Sequence, residues 1–193
     1  MLMFNYEEIK KFVAILNCII MSCGGVYYIY SCEKETCMYF IYNFCLFIKI
    51  YYILHSLMYV YEKTYIFLPH HTCAFFMTCI LENMNHVDLK NALVGLTTLE
   101  LSGAITNIRD ILKNRNELTL TKDVTIWISY VFMRQGIYTY NILYQIKYNT
   151  TEEKIFYFMS VLVYMMSFYW SVIWAKSIIK YNNLFSLNHM KFN

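Results

Sequence analysis

His70-His71, directly after Pro69, and the group formed by Glu100-x-Ser102 and Asn107-x-Arg109 stand inside sequence that is otherwise apolar. Between them they bring imidazoles, a carboxylate, a hydroxyl, an amide and a guanidinium. Two further cations, Lys49 and Arg134, lie midway along apolar runs. A charged side chain in hydrocarbon costs about 2.5–3.5 kcal/mol on insertion scales, so such groups mark cavities or sites. Pro69 suits the first turn of a helix, which places both imidazoles where the helix dipole favours the neutral base. A neutral imidazole in a dry cavity is what proton abstraction from an amine or hydroxyl needs during acyl transfer. Adjacent helical residues point about 100° apart, so the pair is poorly arranged to chelate a metal, and none is expected. One imidazole is expected inside, with the other orienting it or meeting the headgroups. A His-His dipeptide by itself is more often a surface pair, so the wider pattern has to carry the reading.

The chain that must position these groups is built for a bilayer. Of its 193 residues 59% are hydrophobic, 19% aromatic and only 15% charged, and its mean hydropathy is +0.37. A soluble domain of this length has too little interior to hide that much apolar surface. The net charge of +3 comes from scattered Lys and Arg, which excludes the basic stripe of a nucleic-acid surface. The seven Cys include no C-x-x-C, so neither a zinc site nor a dense disulfide framework is expected. Cys32 and Cys37 can be bridged in an oxidising lumen, with free thiols as the default. One Pro and five Gly provide no linker, and a single domain is expected. Residues 1–37 form an N-terminal segment with the first crossing, 38–181 the membrane domain and 182–193 a cytosolic tail.

Six apolar segments approach the roughly 20 residues that a crossing requires: 12–30, 38–61, 69–87, 89–108, 124–146 and 155–179. The third carries Glu82, Asn83 and Asn85, so it and the fourth form either two crossings or one re-entrant unit. The polar residues inside the segments recur at steps of three and four, which places them on single helix faces. Such stripes are Tyr42, Cys45, Lys49, Tyr52, Ser56 and Tyr59; Thr97, Glu100, Gly103 and Asn107; Tyr130, Arg134, Tyr138, Asn141 and Gln145; and Ser160, Tyr164, Ser167, Ser171 and Trp174. The fold expected is all-α, a multipass transmembrane bundle of about six helices around a central cavity. Glu100 is the anion best placed to pair with Arg134 or Lys49. The serines of the last segment read as helix-packing residues, and Trp127 and Trp170 as interfacial anchors.

Six crossings put ten of the sixteen Lys and Arg on one side and four on the other. The positive-inside tendency then makes both termini cytosolic and puts the sequon Asn149-Thr150-Thr151 on the lumenal side. Lys10-Lys11, an apolar run and Ser22-Cys23-Gly24-Gly25 also resemble a signal peptide. The apolar character continuing through Tyr30 favours a retained span.

The order Tyr59-x-Tyr61-Glu62, His70-His71, Glu100-x-Ser102, Asn107-x-Arg109, Arg134 and Trp170 closely resembles the TLC domain. That multispanning family takes its name from translocon-associated, ceramide-synthase and lipofuscinosis-linked proteins. The resemblance covers roughly residues 38–181 and is nearest to the small TLC-domain-containing proteins. The chain has Glu62 where the family often has Asp. After Arg109 it reads Asp110-Ile111-Leu112-Lys113-Asn114, without the His-Asp-x-x-x-Asp signature of the ceramide synthases.

The resemblance implies a helical membrane bundle around a cavity open to lipid, in the endoplasmic reticulum or another endomembrane. It implies lipid binding or lipid homeostasis, with membrane lipids as partners, and acyl transfer on sphingoid or phospholipid substrates if the chain is an enzyme. His70 and His71 would then be catalytic, with Glu100, Asn107, Arg109, Arg134 and Lys49 lining the cavity. No resident cofactor is expected, and acyl-CoA would enter only as a substrate of the enzyme. The alternative is a non-catalytic receptor or scaffold for membrane-protein partners, though the tail, with Lys191 third from the end, is a poor dilysine signal. A channel or transporter ranks last, because no matched pair of Gly/Pro-broken spans is present.

Overall fold

Backbone polar groups in hydrocarbon must be satisfied within their own segment, and helices do this. The computed structural model describes residues 6–31, 37–65 and 68–190, and among them every regular element is helical. The order is α1 (Tyr6–Ser31), α2 (Met38–Tyr61), α3 (Leu68–Leu81), α4 (His86–Asn114), α5 (Leu120–Val131) and α6 (Thr151–Met190). Two π-helical stretches, Phe132–Ile137 and Tyr140–Tyr144, prolong α5. The all-α expectation holds. Three segments, Glu8–Ser31, Tyr39–Tyr61 and Thr151–Lys180, are long and apolar enough to cross a membrane. Their outward faces are apolar and exposed, as at Leu16, Leu54, Leu57, Phe158 and Phe168.

Local chemistry sets the boundaries. α3 opens on Leu68-Pro69 and has only 14 residues, about 21 Å of helix at 1.5 Å per residue, which falls short of a 30 Å hydrocarbon core. It stops at Leu81, so the expected third segment, drawn to residue 87, is too long. Glu82 lies in the turn, and the Asn85 side chain caps α4 by accepting from the amides of Val87 at 3.1 Å and Asp88 at 3.0 Å. α6 begins with a capping box. Thr150 Oγ1 accepts from the Glu153 amide at 3.2 Å while Glu153 Oε2 accepts from the Thr150 amide at 3.0 Å. Its backbone continues helical to Met190, through the expected tail boundary at 181/182. Cys37 is disulfide-bonded, contrary to the free-thiol default. Cys32 and residues 33–36 and 191–193 lie outside the described residues.

Packing closes the helices into a ring in the order α1, α4, α5, α6, α3, α2 and back to α1. The α1–α4 seam is the most extensive, and antiparallel contacts zip it along its length. Tyr28 meets His86 Nδ1 at 3.2 Å, Ser22 Oγ donates to the Thr97 carbonyl at 3.4 Å, and Lys11 pairs with Asp110 at 3.1 Å. Arg115 pairs with Glu8 at 2.7 Å. The α1–α2 seam is the thinnest of the ring. It is held at one end by Lys10 on Glu62 at 2.6 Å and at the other by Tyr27 against Phe40, ring centroids 5.1 Å apart. One half of the ring interior is filled by a core that includes Ile41, Met77, Leu93, Tyr138, Ile142 and Phe156. The other half is hollow.

The stripe of the fifth segment departs from its expected register. Tyr130, Arg134 and Tyr138 face inward, but Asn141 and Gln145 do not; Ile142 and Ile146 are buried instead. A π turn takes more residues than an α turn, so the inward positions recur every four residues from 130 to 146. A stripe drawn at a period of 3.6 slips off the face after the first π stretch.

Candidate functional site

The hollow half of the ring is a cavity of about 580 Å³ running from the Lys10, Glu62 and Lys113 end of the bundle inward to Glu100 and Arg134. His70, His71, Glu100, Asn107, Arg109 and Arg134 all line it. The structure therefore gathers six of the seven residues singled out from sequence. Lys49 is the exception. It lies toward the filled half, where its Nζ pairs with Glu82 Oε1 at 2.6 Å. The shortness of α3 explains this, because its end brings Glu82 to the level of Lys49.

Neither ion pair expected for Glu100 forms among the described residues. One carboxylate oxygen accepts from the Tyr52 hydroxyl and the other from Cys18 Sγ at 3.4 Å. Arg134 is held instead by neutral acceptors. Its Nε donates to Ser102 Oγ at 2.5 Å, Nη1 to Ser167 Oγ at 2.9 Å and Nη2 to the Leu99 carbonyl at 3.4 Å. Its guanidinium also lies 5.1 Å from the Tyr130 ring centre. Ser167 thus does more than pack, since it accepts from Arg134 while donating to the Val163 carbonyl at 2.7 Å. For Ser160 and Ser171 the packing reading stands: both are buried and donate to carbonyls of their own helix.

Both histidines reach the cavity, so neither is turned out toward the headgroups. His71 is 7% exposed and sits in an aromatic cluster. Its ring centre is 4.7 Å from His55, 5.0 Å from Tyr59, and 5.5 Å from both Tyr52 and His70. The Nδ1 atoms of His55 and His71 are buried and have no hydrogen-bond partner among the described residues, an arrangement that asks for an explanation. No cluster of metal-ligand type is present among those residues.

At the mouth, Arg109 makes a two-pronged bond to Asp123, Nε to Oδ1 at 2.6 Å and Nη2 to Oδ2 at 3.2 Å. Trp174 Nε1 donates to the same Asp123 oxygen at 2.7 Å, and its ring lies 4.4 Å from the Arg109 guanidinium. Arg109 is thereby committed to tying α4, α5 and α6 together. Asn107 donates to the Gly103 carbonyl at 3.0 Å. Trp170, read as an interfacial anchor, lines the cavity, and Trp127 donates to the Ser171 carbonyl at 3.0 Å.

Sequence reasoning missed His55, Tyr51, Cys18, Asp123 and the pairing role of Trp174. A signal existed for His55: it stands three residues after Tyr52 and four before Tyr59, on the face already marked by tyrosines. None existed for Cys18, which meets Glu100 only through the α1–α4 packing.

The Lys49–Glu82 pair sets up a test of what it contributes. Glu82→Gln leaves an enclosed ammonium without its counter-ion and is expected to lower stability by about 1–3 kcal/mol, whereas Lys49→Met with Glu82→Met recovers most of the loss. Melting curves of the three variants in detergent would show this, and equal losses in the single and double variants would refute it.

The chain matches no family model, no curated protein and no solved structure.

Proposed function

We propose that the protein is an integral membrane protein of lipid binding or lipid homeostasis, with the ring of six helices embedded in an endomembrane and a membrane lipid held in its cavity. The observation that carries this reading is the cavity itself. Two histidines, a carboxylate and a guanidinium, drawn from α3, α4 and α5, line one hollow inside a molecule whose outer faces are apolar. The thin α1–α2 seam supports lateral entry of a chain from the bilayer, and the TLC-like order of residues points the same way. Disulfides persist in oxidising compartments. The bonded Cys37 therefore supports a lumenal loop between α1 and α2, with cytosolic termini and the cavity mouth on the basic side.

Acyl transfer is the reaction class that suits this lining. With an acyl thioester as donor, His71, with an unpartnered Nδ1, or His70 beside it would take the proton from the attacking hydroxyl or amine and return it to the thiolate released as the thioester bond breaks, while Glu100 would orient the attacking group. Arg109 fits this role less well, because Asp123 and Trp174 already engage it.

Purification in mild detergent followed by mass spectrometry of co-purified lipid tests the reading. A defined acyl lipid retained by the wild type is expected to be lost from the variant carrying His70→Ala and His71→Ala. Unchanged lipid content, with a stable protein partner in both preparations, would favour the scaffold instead.

A further inference from the structure

We infer that the inner end of the cavity is a subsite for the anionic head of a single-chain amphiphile, a long-chain carboxylate, with the Arg134 guanidinium as its anchor. The inference deepens the lipid-binding reading and depends on it.

Most half-buried cations among the described residues pair with a carboxylate. Lys10 pairs with Glu62, Lys11 with Asp110, Lys49 with Glu82, Arg109 with Asp123 and Arg115 with Glu8. Arg134, deep in the ring, has no carboxylate within ion-pair distance among the described residues, and its three bonds go to two hydroxyls and a carbonyl. Glu100 lies within electrostatic reach of this guanidinium but makes no contact with it, so the donors of an enclosed cation meet only neutral groups, and an arriving anion adds the charge-assisted bonds that the site lacks. Three of its five N–H groups are used, which leaves two to donate to a carboxylate. Glu100, the anion on the neighbouring helix, is already served by Tyr52 and Cys18 and does not compete for the guanidinium.

A second, independent feature points into the same space. His71 is more than nine-tenths buried and its Nδ1 is unpartnered, so in the tautomer protonated at Nδ1 the ring donates to a carboxylate oxygen, whereas the other tautomer leaves Nδ1 free to act as a base. Volume then limits the ligand. At roughly 30 Å³ per water-sized group, a cavity of 580 Å³ has room for about twenty non-hydrogen atoms, which accommodates a single fatty acyl chain with its carboxylate. Leu99, Met166 and Ile173 supply apolar lining for the chain.

The test uses the whole protein in phosphatidylcholine nanodiscs, with saturable binding of radiolabelled myristate as the readout. Tetradecanol, tetradecylamine and tetradecyl phosphate serve as competitors of the same chain length. Myristate is expected to bind more tightly than all three. Arg134→Gln should weaken it by about tenfold or more, Arg134→Lys by less, and tetradecanol binding should not change in either. A tryptophan-fluorescence melt checks that the variants fold. Should Arg134→Gln not fold, the wild-type series and Arg134→Lys still decide. Equal binding of all four probes, tighter binding of the amine or phosphate, or an unaltered Arg134 variant would overturn the carboxylate assignment while leaving a lipid cavity in place. Binding of none of the probes would overturn both.

Discussion

Asp123→Ala is expected to destabilise the bundle by about 3 kcal/mol, the lower end of the range for removing one partner of a buried ion pair. Two interactions are lost at once. Arg109 loses both prongs of its bond, and Trp174 loses the acceptor for its indole N–H. The two charged side chains are only 16% and 15% exposed, so water does not replace the lost carboxylate, and the remaining Asp110 contact, at 3.9 Å, compensates weakly. The guanidinium is left charged against the face of Trp174 with only that distant carboxylate beside it. Adding Arg109→Met removes that orphan, and the double variant is expected to recover most of the stability, because an apolar replacement of both partners is often close to neutral. Unfolding followed by tryptophan fluorescence in detergent reports directly, since Trp174 belongs to the cluster. A single variant within about 0.5 kcal/mol of wild type would show that the contact is a surface feature.

This cluster also marks the boundary of what the sequence could reveal. Arg109 was recognisable as a polar residue closing an apolar segment, but its partner sits beyond the turn at the head of α5, where an Asp in a first helical turn is unremarkable. The helices themselves were legible, since six apolar runs became six helices, and α2 kept its drawn limits of Met38 and Tyr61. Single-helix periodicity also gave the inward faces of α4 and α6, where Glu100, Gly103, Ser160 and Ser167 point as their spacing implies. Periodicity failed where the period itself changed, at the π stretches that prolong α5, and no residue type announces such a change. It also failed for pairings. Lys49, Glu82, Glu100 and Arg134 were each identifiable as costly groups, but which carboxylate meets which cation depends on the height at which α3 ends. That length is set by the turn at residues 82–85, and those residues read equally well as polar intrusions in a longer span.

Gly25→Leu is the second substitution with a large expected effect, and it tests whether the α1–α4 seam holds the ring closed. A Cβ at Gly25 would run into the Thr97 hydroxyl, with the Thr97 Cβ at 3.6 Å and the Leu93 carbonyl at 3.8 Å behind it. Small residues at helix interfaces in membranes permit this close backbone approach, and dispersion then acts along the whole seam. With Ala the hydroxyl can turn away, and the gain in helix propensity over Gly of about 1 kcal/mol offsets much of the overpacking, so Gly25→Ala is expected to be near neutral. A Leu side chain has nowhere to go except between the helices. We expect it to cost about 3 kcal/mol and to lever α1 away from α4, opening the cavity wall that its Ala14 and Cys18 provide. Cys18 makes the displacement measurable: it is buried and bonded to Glu100, while Cys23 on the same helix is exposed. Labelling with a small uncharged maleimide in detergent, resolved by mass spectrometry, should leave Cys18 unmodified in the wild type and in Gly25→Ala and modify it in Gly25→Leu. Protection of Cys18 in Gly25→Leu would mean that α1 tolerates the insertion and that the seam is looser than its contacts imply.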